Sequence, residues 1–289
     1  MGSLKHQTLP LQRRMALRMR RGDSWVHLAM IGLLIPTFYP FVALLFLSFK
    51  DNPQFYHNRW LLSFPLHFGN YTYALKTVSP YILNSIISSG VTVVGVLLLA
   101  SLAAYAFSRG DFPGKEGLFY LILSLLMVPG ILTLIARFIL VKQLGLLNTR
   151  WALILPWISG GQVFAIFLLR SFFDHVPEDL FESARLDGAN EFQILLQIAL
   201  PLARPIMGVV AILNITGTWN DLIWPLVTVM NNQTLYTIPI GLTLFRQAFW
   251  TNWGPLFAGY VIVSIPMLVF FVFSSKLFIR GIASGAIKM

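Results

Sequence analysis

Acidic residues are scarce in this chain, and six of the eleven lie between residues 174 and 191. These six are Asp174, Glu178, Asp179, Glu182, Asp187 and Glu191. We refer to residues 174–201 as the acidic loop. Asp174 can cap a helix, and Pro177 suits the first turn of that helix. Glu178 and Asp179 complement the positive end of the helix dipole. These signals predict an ordered helical loop that offers a charged contact surface.

Apolar and small residues of the acidic loop recur at intervals of three and four. Phe181, Ala184, Gly188 and Phe192 are therefore predicted to share one helical face. Gly188 is predicted to bend the chain between two short helices. Small residues such as Ala184 and Gly188 let another backbone or a bulky side chain approach closely. Two interpretations stay open, because such a face can pack on the protein's own surface or fit a cleft in a partner.

Polar side chains also interrupt the apolar run from Pro205 to Val229. They are Asn214, Thr216, Thr218, Asn220 and Asp221. An aspartate at the centre of a membrane span costs about 2.5–3.5 kcal/mol, so Asp221 should face protein or water. Counted from Pro205 at about 1.5 Å per residue, it lies roughly 24 Å along the run, in the outer third of a membrane core about 30 Å thick. We favour a structural or gating hydrogen bond for Asp221 over a cavity-lining role or an ion site. The candidate substrate-path residues are Asn214, Trp219, Asn220 and Asp221.

Other chemistry finds little support in the sequence. The absence of cysteine excludes thiolate metal sites and a cysteine nucleophile. The five histidines show no ligand spacing, so no metal site is expected. No motif frames a serine nucleophile. The segment from Gly110 to Glu116 is the nearest thing to a phosphate-binding loop, but its spacing is wrong and no Ser or Thr follows Lys115. We therefore expect no catalytic residue, no bound cofactor and no ATP hydrolysis in this chain.

The elements that must position these residues are membrane spans. The chain is 56% hydrophobic and only 11% charged, whereas a soluble domain carries roughly a quarter charged residues. Six apolar runs approach the length of about 20 residues that a span needs. The runs are Trp25–Phe49, Tyr81–Phe107, Gly117–Ile135, Trp151–Phe173, Pro205–Val229 and Leu256–Phe278. The sequence thus predicts an all-α, polytopic membrane protein with six transmembrane helices.

Basic residues set the predicted orientation. The N-terminal segment, residues 1–24, contains five arginines just before the first run. With the N-terminus inside, inside segments hold twice as many Lys and Arg residues as outside segments, which follows the positive-inside rule. Both termini and the acidic loop are then cytoplasmic. The first run, of about 25 residues, is too long for a signal-peptide core. Because the basic residues cluster between apolar runs, the net charge of +10 indicates a lipid bilayer as partner and not nucleic acid.

The outside loops contain aromatic residues whose role the sequence leaves open. The loop from Met230 to Pro255 carries Trp250 and Trp253. Such residues suit the membrane–water interface. They either anchor the chain there or form a docking surface for an external partner.

The acidic loop resembles the signature of ABC importer permease subunits. It reads Glu182-Ser183-Ala184-Arg185-Leu186-Asp187-Gly188, followed by Ile198-Ala199-Leu200-Pro201. Ser183 departs from that signature, which has a second alanine here. Further segments resemble the carbohydrate, maltose-type branch of these importers. They are Asn84-Ser85, the run from Ala104 to Arg109, Trp219-Asn220-Asp221 with Pro225, and the tail from Arg280 to Lys288.

The resemblance implies a type I importer permease fold in the cytoplasmic membrane of a bacterium or archaeon. Residues 25–289 would be the permease domain, with spans two to six at about 81–279. The partners would be a second, homologous permease in a heterodimer, two copies of an ABC ATPase that hold ATP and Mg, and an extracytoplasmic solute-binding protein. The residues that would couple to the ATPase are Glu182, Ser183, Ala184, Asp187 and Gly188.

Rival interpretations remain at this point. A secondary transporter would need coupling ions and usually internal repeats, and no clear repeat is present. A membrane enzyme would need polar groups gathered at one membrane face. The third alternative is a permease of the same family with a non-sugar substrate. Only the resemblance of the tail, Arg280 to Lys288, to the carbohydrate branch argues against it.

Overall fold

The computed structural model describes the backbone of residues 11–246 and 251–286 and the side chains of residues 25–246 and 251–274. Within these ranges the regular secondary structure is helical, apart from an isolated antiparallel bridge between Arg246 and Thr251. The α-helices are α1 Leu11–Ser48, α2 Asn52–His57, α3 Gly69–Arg109, α4 Lys115–Ser124, α5 Leu134–Gln143, α6 Trp151–Asp174, α7 Asp179–Leu186, α8 Glu191–Ile194, α9 Leu200–Asn220, α10 Ile223–Thr228, α11 Ile238–Thr243 and α12 Trp253–Ala286.

Five stretches of helix in the described chain are long and apolar enough to cross a membrane, and a sixth exists if a bent pair counts as one span. That bent pair replaces the predicted continuous span Gly117–Ile135. Lys115–Met127 and Gly130–Gln143 meet at an angle of 95°. The break lies at Pro129, because Val128 takes an extended conformation that the ring of a following proline favours. The chain is thus an all-α protein with several candidate membrane spans, as predicted.

Two other predicted spans have different bounds in the structure. The second, predicted to begin at Tyr81, belongs to the 41-residue helix α3, which begins at Gly69 and includes Pro80. The fifth was predicted to run unbroken to Val229, but α9 ends at Asn220. Asp221 is extended there, with φ −71° and ψ 113°. Its carboxylate accepts a hydrogen bond of 3.1 Å from the backbone N–H of Trp224 in α10.

Helices α3, α6, α9 and α12 pack together as the centre of the bundle, and α1 lies outside them against α12. The face that α3 turns inward is built from small side chains. Ser85, Ser88, Ser89, Ala100 and Ala104 are each at most 3% exposed. Small residues allow helices to approach closely where no hydrophobic driving force acts between them. By contrast, the apolar side chains of α1 from Trp25 to Val42 are largely exposed, as a lipid-facing helix requires.

The segment that follows α10, predicted as an outside loop, is packed into the bundle. Asn84 of α3 donates hydrogen bonds to the carbonyls of Thr234 and Tyr236, at 2.6 Å and 3.1 Å. Ser85 accepts one of 3.0 Å from the N–H of Ile238, the first residue of α11. These bonds pair backbone groups that would otherwise be buried without partners.

Trp253 stacks on Phe55 of α2 with ring centroids 4.6 Å apart. Trp250 lies outside the described residues.

We predict that Gly241→Ala destabilises the protein by about 1–3 kcal/mol, the usual cost of overpacking. A Cβ atom at Gly241 would overlap the ring of Tyr81, which is partly buried and packed against a core cluster, so the ring has little room to move. Gly32→Ala is the control, because a Cβ atom there meets nothing within 4 Å. The measurement is thermal unfolding in detergent. A melting temperature equal to that of the control variant would contradict the prediction.

Candidate functional site

The acidic loop folds as the short helix α7 and the start of a continuous helical run, Glu191–Asn220, at the end of the bundle where α3 ends. That run comprises α8, a π-helical turn at Leu195–Ala199 and α9. The second of the two predicted short helices is therefore the first turn of a membrane span.

The predicted cap is wrong, because Asp174 is the last residue of α6 and α7 begins only at Asp179. Glu178 occupies the N-cap position of α7 without a capping hydrogen bond from its side chain. Its carboxylate binds Arg109 and Arg185 instead. The predicted start fails because α6 continues through Asp174, whose carboxylate accepts a 2.6 Å hydrogen bond from the hydroxyl of Ser108 and forms an ion pair with Arg170.

Arg109, the last residue of α3, holds the chain just before α7. Its Nη2 atom donates to the carbonyls of Phe173 and Val176, at 2.5 Å and 2.6 Å. Its Nη1 atom bonds Glu178, and its guanidinium carbon lies 4.2 Å from the centroid of the Phe181 ring. The side chain is only 10% exposed. Planar guanidinium groups suit such multiple contacts, so one residue joins α3, the end of α6 and α7.

A second arginine joins α7 to α8. Arg185 donates to Glu178 and to Glu191, both at 2.9 Å. The other carboxylate oxygen of Glu191 accepts a 2.6 Å hydrogen bond from the hydroxyl of Tyr105 in α3. The bonds to Glu191 and Glu178 raise the pKa of the Arg185 guanidinium above its ordinary value. The two helices therefore form one unit with the end of α3, since charged hydrogen bonds are the stronger kind.

The predicted coupling residues do not all lie on one surface. Glu182, Ser183, Asp187 and Gly188 are exposed. Ala184 is partly buried against the core cluster that contains Phe181. Phe181 itself is fully buried. The face with Phe181 and Ala184 thus packs on the protein's own bundle, and the opposite face is free.

Gly188 makes the predicted bend. Its φ is +83°, a left-handed conformation that glycine adopts without a steric penalty. Its N–H bonds the carbonyl of Arg185, and the N–H of Ala189 bonds the carbonyl of Ala184, both at 3.0 Å. This pattern of bonds ends a helix. Asn190 then begins α8 with a capping box that it shares with Gln193.

Sequence reasoning missed two parts of this site. Leu186 is 89% exposed and Phe192 is 62% exposed. We predicted a single apolar face that included Phe192, but the bend at Gly188 separates Phe192 from Phe181. Leu186 lies four residues after Glu182, so the sequence spacing could have predicted that both residues lie on the exposed face of α7.

The contacts of Arg109 are the second missed part. Arg109 was noted only as part of a resemblance, and no local signal indicated its contacts.

A cavity of about 300 Å³ lies among α5, α6 and the end of α9. Its aromatic lining comes from Trp157 and Phe164. Its polar lining includes Asn214 and Asp221, and its charged lining includes Arg137. Three glycines, at 160, 161 and 217, leave space there. Of the four candidate substrate-path residues, the structure therefore brings Asn214 and Asp221 to one cavity.

The hydrogen bond predicted for Asp221 is present. The indole N–H of Trp157 donates to its Oδ2 atom at 2.8 Å, and the backbone N–H of Trp224 donates to Oδ1. Asn214 donates from Nδ2 to the carbonyl of Val210 at 2.9 Å, which fixes the orientation of its amide. Asp221 is thus both a structural acceptor and a cavity residue.

Trp219 and Asn220 are not among the residues that line this cavity. Trp219 is 8% exposed and packs in a core cluster with Ile238 and Leu242. Asn220 is exposed, and its amide donates to the carbonyl of Thr216 at 2.8 Å. The turn of the helix separates them from Asn214, because residues share a helical face at spacings of three and four.

Neither a metal centre nor a phosphate site is evident in the part of the chain that the structure describes. No group of three or more histidine and acidic residues there is placed to hold a metal ion. Residues 110–116 form the turn between α3 and α4, and Lys115 donates to the carbonyl of Gly110 at 2.9 Å. This turn does not have the strand-to-helix setting of a phosphate loop.

Comparison with known proteins identifies the family. Residues 96–284 match the family described as "Binding-protein-dependent transport system inner membrane component". The chain belongs to this family. It is therefore a permease subunit of an ABC importer, a transmembrane component and not an enzyme. Permeases of this family function with a second permease, an ATPase and a binding protein.

The permease is similar to several curated relatives over most of its length. It is 34% identical to the arabinooligosaccharides transport system permease of Halalkalibacterium halodurans, with 86% of this chain and 91% of the relative covered. It is 30% identical to the diacetylchitobiose uptake system permease of Streptomyces coelicolor, with 93% and 90% covered. Its fold matches a bacterial ABC transporter involved in import of the acidic polysaccharide alginate, with a TM-score of 0.75 at 23% identity, covering 90% of this chain and 98% of that one.

We predict that Arg109→Ala loosens the acidic loop of the permease. Hydrogen bonds to charged groups contribute about 1.5–3 kcal/mol, so backbone amides of residues 176–191 should exchange about 10- to 100-fold faster. The measurement is hydrogen exchange followed by mass spectrometry in detergent. Arg204→Ala is the control, because Arg204 is exposed and takes no part in these contacts. Equal protection of the loop in both variants would contradict the role assigned to Arg109.

Proposed function

We propose that this permease forms part of the membrane path for an oligosaccharide and couples its import to a separate ATPase. The observation that carries the coupling proposal is the rigid attachment of α7 to α3 and α6 through Arg109. A helix held in this way moves as one body with the spans it contacts. Motion of a partner that grips α7 would therefore reach the membrane path.

The exposed face of α7 has a defined chemistry. Glu182, Ser183 and Asp187 provide charged and polar groups, and Leu186 provides a large apolar side chain. An acidic surface around one apolar residue fits a cleft with a basic rim and an apolar floor. We assign this face to contact with the ATPase. Ala184 acts from the other side, where it seats α7 on the bundle.

The carbohydrate assignment rests on the relatives and on the cavity. The named relatives transport arabinooligosaccharides and diacetylchitobiose. The cavity combines aromatic, amide and carboxylate side chains. Such a mixture suits a ligand with hydroxyl groups and an apolar ring face.

The remaining partners follow from the same proposal. ATP and Mg would bind two copies of the ATPase and not this chain. A second, homologous permease would complete the path in a heterodimer, and an extracytoplasmic solute-binding protein would deliver the sugar. The positive-inside rule supports cytoplasmic termini and a cytoplasmic acidic loop. The setting would be the cytoplasmic membrane of a bacterium or archaeon.

We expect the chain, purified in mild detergent, to bring with it a second permease and an ATPase. Vesicles that contain this complex and the binding protein should take up a labelled oligosaccharide only when ATP is present on the ATPase side. Uptake driven by an ion gradient without an ATPase would instead indicate a secondary transporter. ATP-driven uptake of an amino acid but of no sugar would indicate a permease for a different substrate class.

We also expect Gly188→Val to abolish transport while the chain still inserts in the membrane. A left-handed conformation costs L-residues, which carry a Cβ atom that glycine lacks, roughly 1–2 kcal/mol, so the bend between α7 and α8 should change. Gly188→Asn is the matched control, because asparagine tolerates this conformation better. The measurements are uptake in vesicles and the amount of chain in the membrane fraction. Normal uptake by the valine variant would refute the role of the bend.

A further inference from the structure

A third arginine, Arg170 of α6, lies at the same end of the bundle as the acidic loop and joins α6 to α4. Its Nη2 atom donates to the carboxylate of Glu116 in the first turn of α4. Its guanidinium carbon lies 3.9 Å from the centroid of the Phe119 ring, one turn further along α4. The Arg170 side chain is only 12% exposed. Because a planar guanidinium can bond a carboxylate and stack on a ring, Arg170 holds α4 at two points.

Arg170 also contacts the end of α6 that Arg109 holds. Its Nε atom lies 3.5 Å from Oδ2 of Asp174, the last residue of α6. The other carboxylate oxygen of Asp174 accepts a 2.6 Å hydrogen bond from Ser108 of α3. Arg109, which follows Ser108, bonds the carboxylate of Glu178 at the start of α7. A continuous set of polar contacts therefore runs from α7 through the ends of α3 and α6 to α4.

The two halves of the bent span have different partners. Lys115–Met127 contains α4, Gly130–Gln143 contains α5, and the halves meet at 95°. Arg137 of α5 lies over the ring of Trp224 in α10, and it lines the cavity. The bend thus separates a half attached near the acidic loop from a half that forms part of the cavity wall. Because Pro129 has no N–H for a helical bond, the angle between the halves can change at this position.

We propose that Arg170 is a positioning residue that transmits movement of the acidic loop to the bent span. Through Glu116 and Phe119 it makes α4 move with α7, while α5 stays with α10. The angle at the bend then changes, and the wall of the cavity at Arg137 changes with it. The inference rests on the proposed function, because the movement of α7 comes from the ATPase. It adds a specific route by which that movement reaches the cavity.

The carboxylate of Glu116 is the contact that can be removed with least disturbance. Glu116→Gln keeps the size of the side chain and removes its charge. Arg170 still has Asp174 as its partner, so the variant leaves no buried arginine without a counter-ion. Asp111→Asn is the matched control, because Asp111 is exposed in the turn before α4 and takes no part in the contacts of Arg170.

The experiment measures two distances by electron paramagnetic resonance in the complete complex, purified with its partner chains and the binding protein. Because this chain contains no cysteine, spin labels can be attached at introduced cysteines once any cysteines in the partner chains are replaced. Asp179→Cys with Tyr120→Cys reports the distance from α7 to α4, and Asp179→Cys with Ile139→Cys reports the distance from α7 to α5. All three positions are exposed. The two states are nucleotide-free and trapped with ATP and orthovanadate.

With Arg170 and Glu116 intact, trapping should leave the α7–α4 distance unchanged and shift the α7–α5 distance. In Glu116→Gln the α7–α4 distance should shift or broaden on trapping, and in Asp111→Asn it should not. Uptake in vesicles is measured with labelled arabinobiose and diacetylchitobiose as probes. Sugar imported per ATP hydrolysed should fall about 2- to 30-fold in Glu116→Gln with an unchanged KM for the sugar. A merely structural role would lower the amount of complex and not this ratio.

The outcomes separate the two proposals. No shift of either distance on trapping, with no ATP-driven uptake of either sugar, would overturn the proposed function and this inference with it. ATP-driven uptake with an α7–α4 distance that shifts while Arg170 and Glu116 are intact would overturn the role of Arg170 alone. So would a Glu116→Gln variant that keeps both a constant α7–α4 distance and the wild-type ratio of sugar to ATP. Loss of the partner chains from Glu116→Gln would also overturn it, because the carboxylate would then act in assembly.

Discussion

The guanidinium of Arg109 is the contact on which the functional end of this permease depends. It bonds two carbonyls at the end of α6, the carboxylate of Glu178 and the face of the Phe181 ring. The carbonyl of Phe173 already accepts the backbone N–H of Val176 at 3.1 Å, and Arg109 adds a second donor to it. Arg109 also reaches the carbonyl of Val176, which lies just beyond the end of α6. One guanidinium from another helix thus connects α3, α6 and α7.

Helix α3 is tied at a second point, nearer its middle. Asn84 and Ser85 bond the backbone between Thr234 and Ile238, and Arg150, in the loop between α5 and α6, donates to Asn84 at 2.8 Å. Between these points the inward face of α3 is made of small residues that pack closely on α6. The acidic loop and the buried segment around α11 are therefore attached to one continuous helix. Helix α3 can therefore transmit a displacement of the acidic loop to the segment around α11, and a displacement of that segment to the acidic loop.

The interior of the bundle also contains the polar cavity among α5, α6 and the end of α9. The end of α9 at Asn220 frees the backbone that follows, and Asp221 uses its carboxylate to begin α10. The same carboxylate accepts the indole N–H of Trp157, so a single side chain serves the helix break, the packing of α6 and the wall of the cavity. A broken helix is tolerated within a membrane bundle where its freed groups are paired or line a cavity.

The sequence by itself determined the class of fold. Long apolar helices are stable in lipid because their backbone groups are paired within each helix, whichever helices pack against them. It also located the acidic loop and the bend at Gly188, since these depend on neighbouring residues and on the steric freedom of glycine. Only the tertiary structure decided which face of α7 is free, where the third and fifth spans break, and that Asn214 and Asp221 share a cavity that Trp219 and Asn220 do not line. Those features depend on contacts between distant residues, such as Arg109 with Glu178 and Trp157 with Asp221. Local sequence specifies the periodicity of a helix and hence which residues share a face. Packing across the bundle determines which distant residues those faces contact.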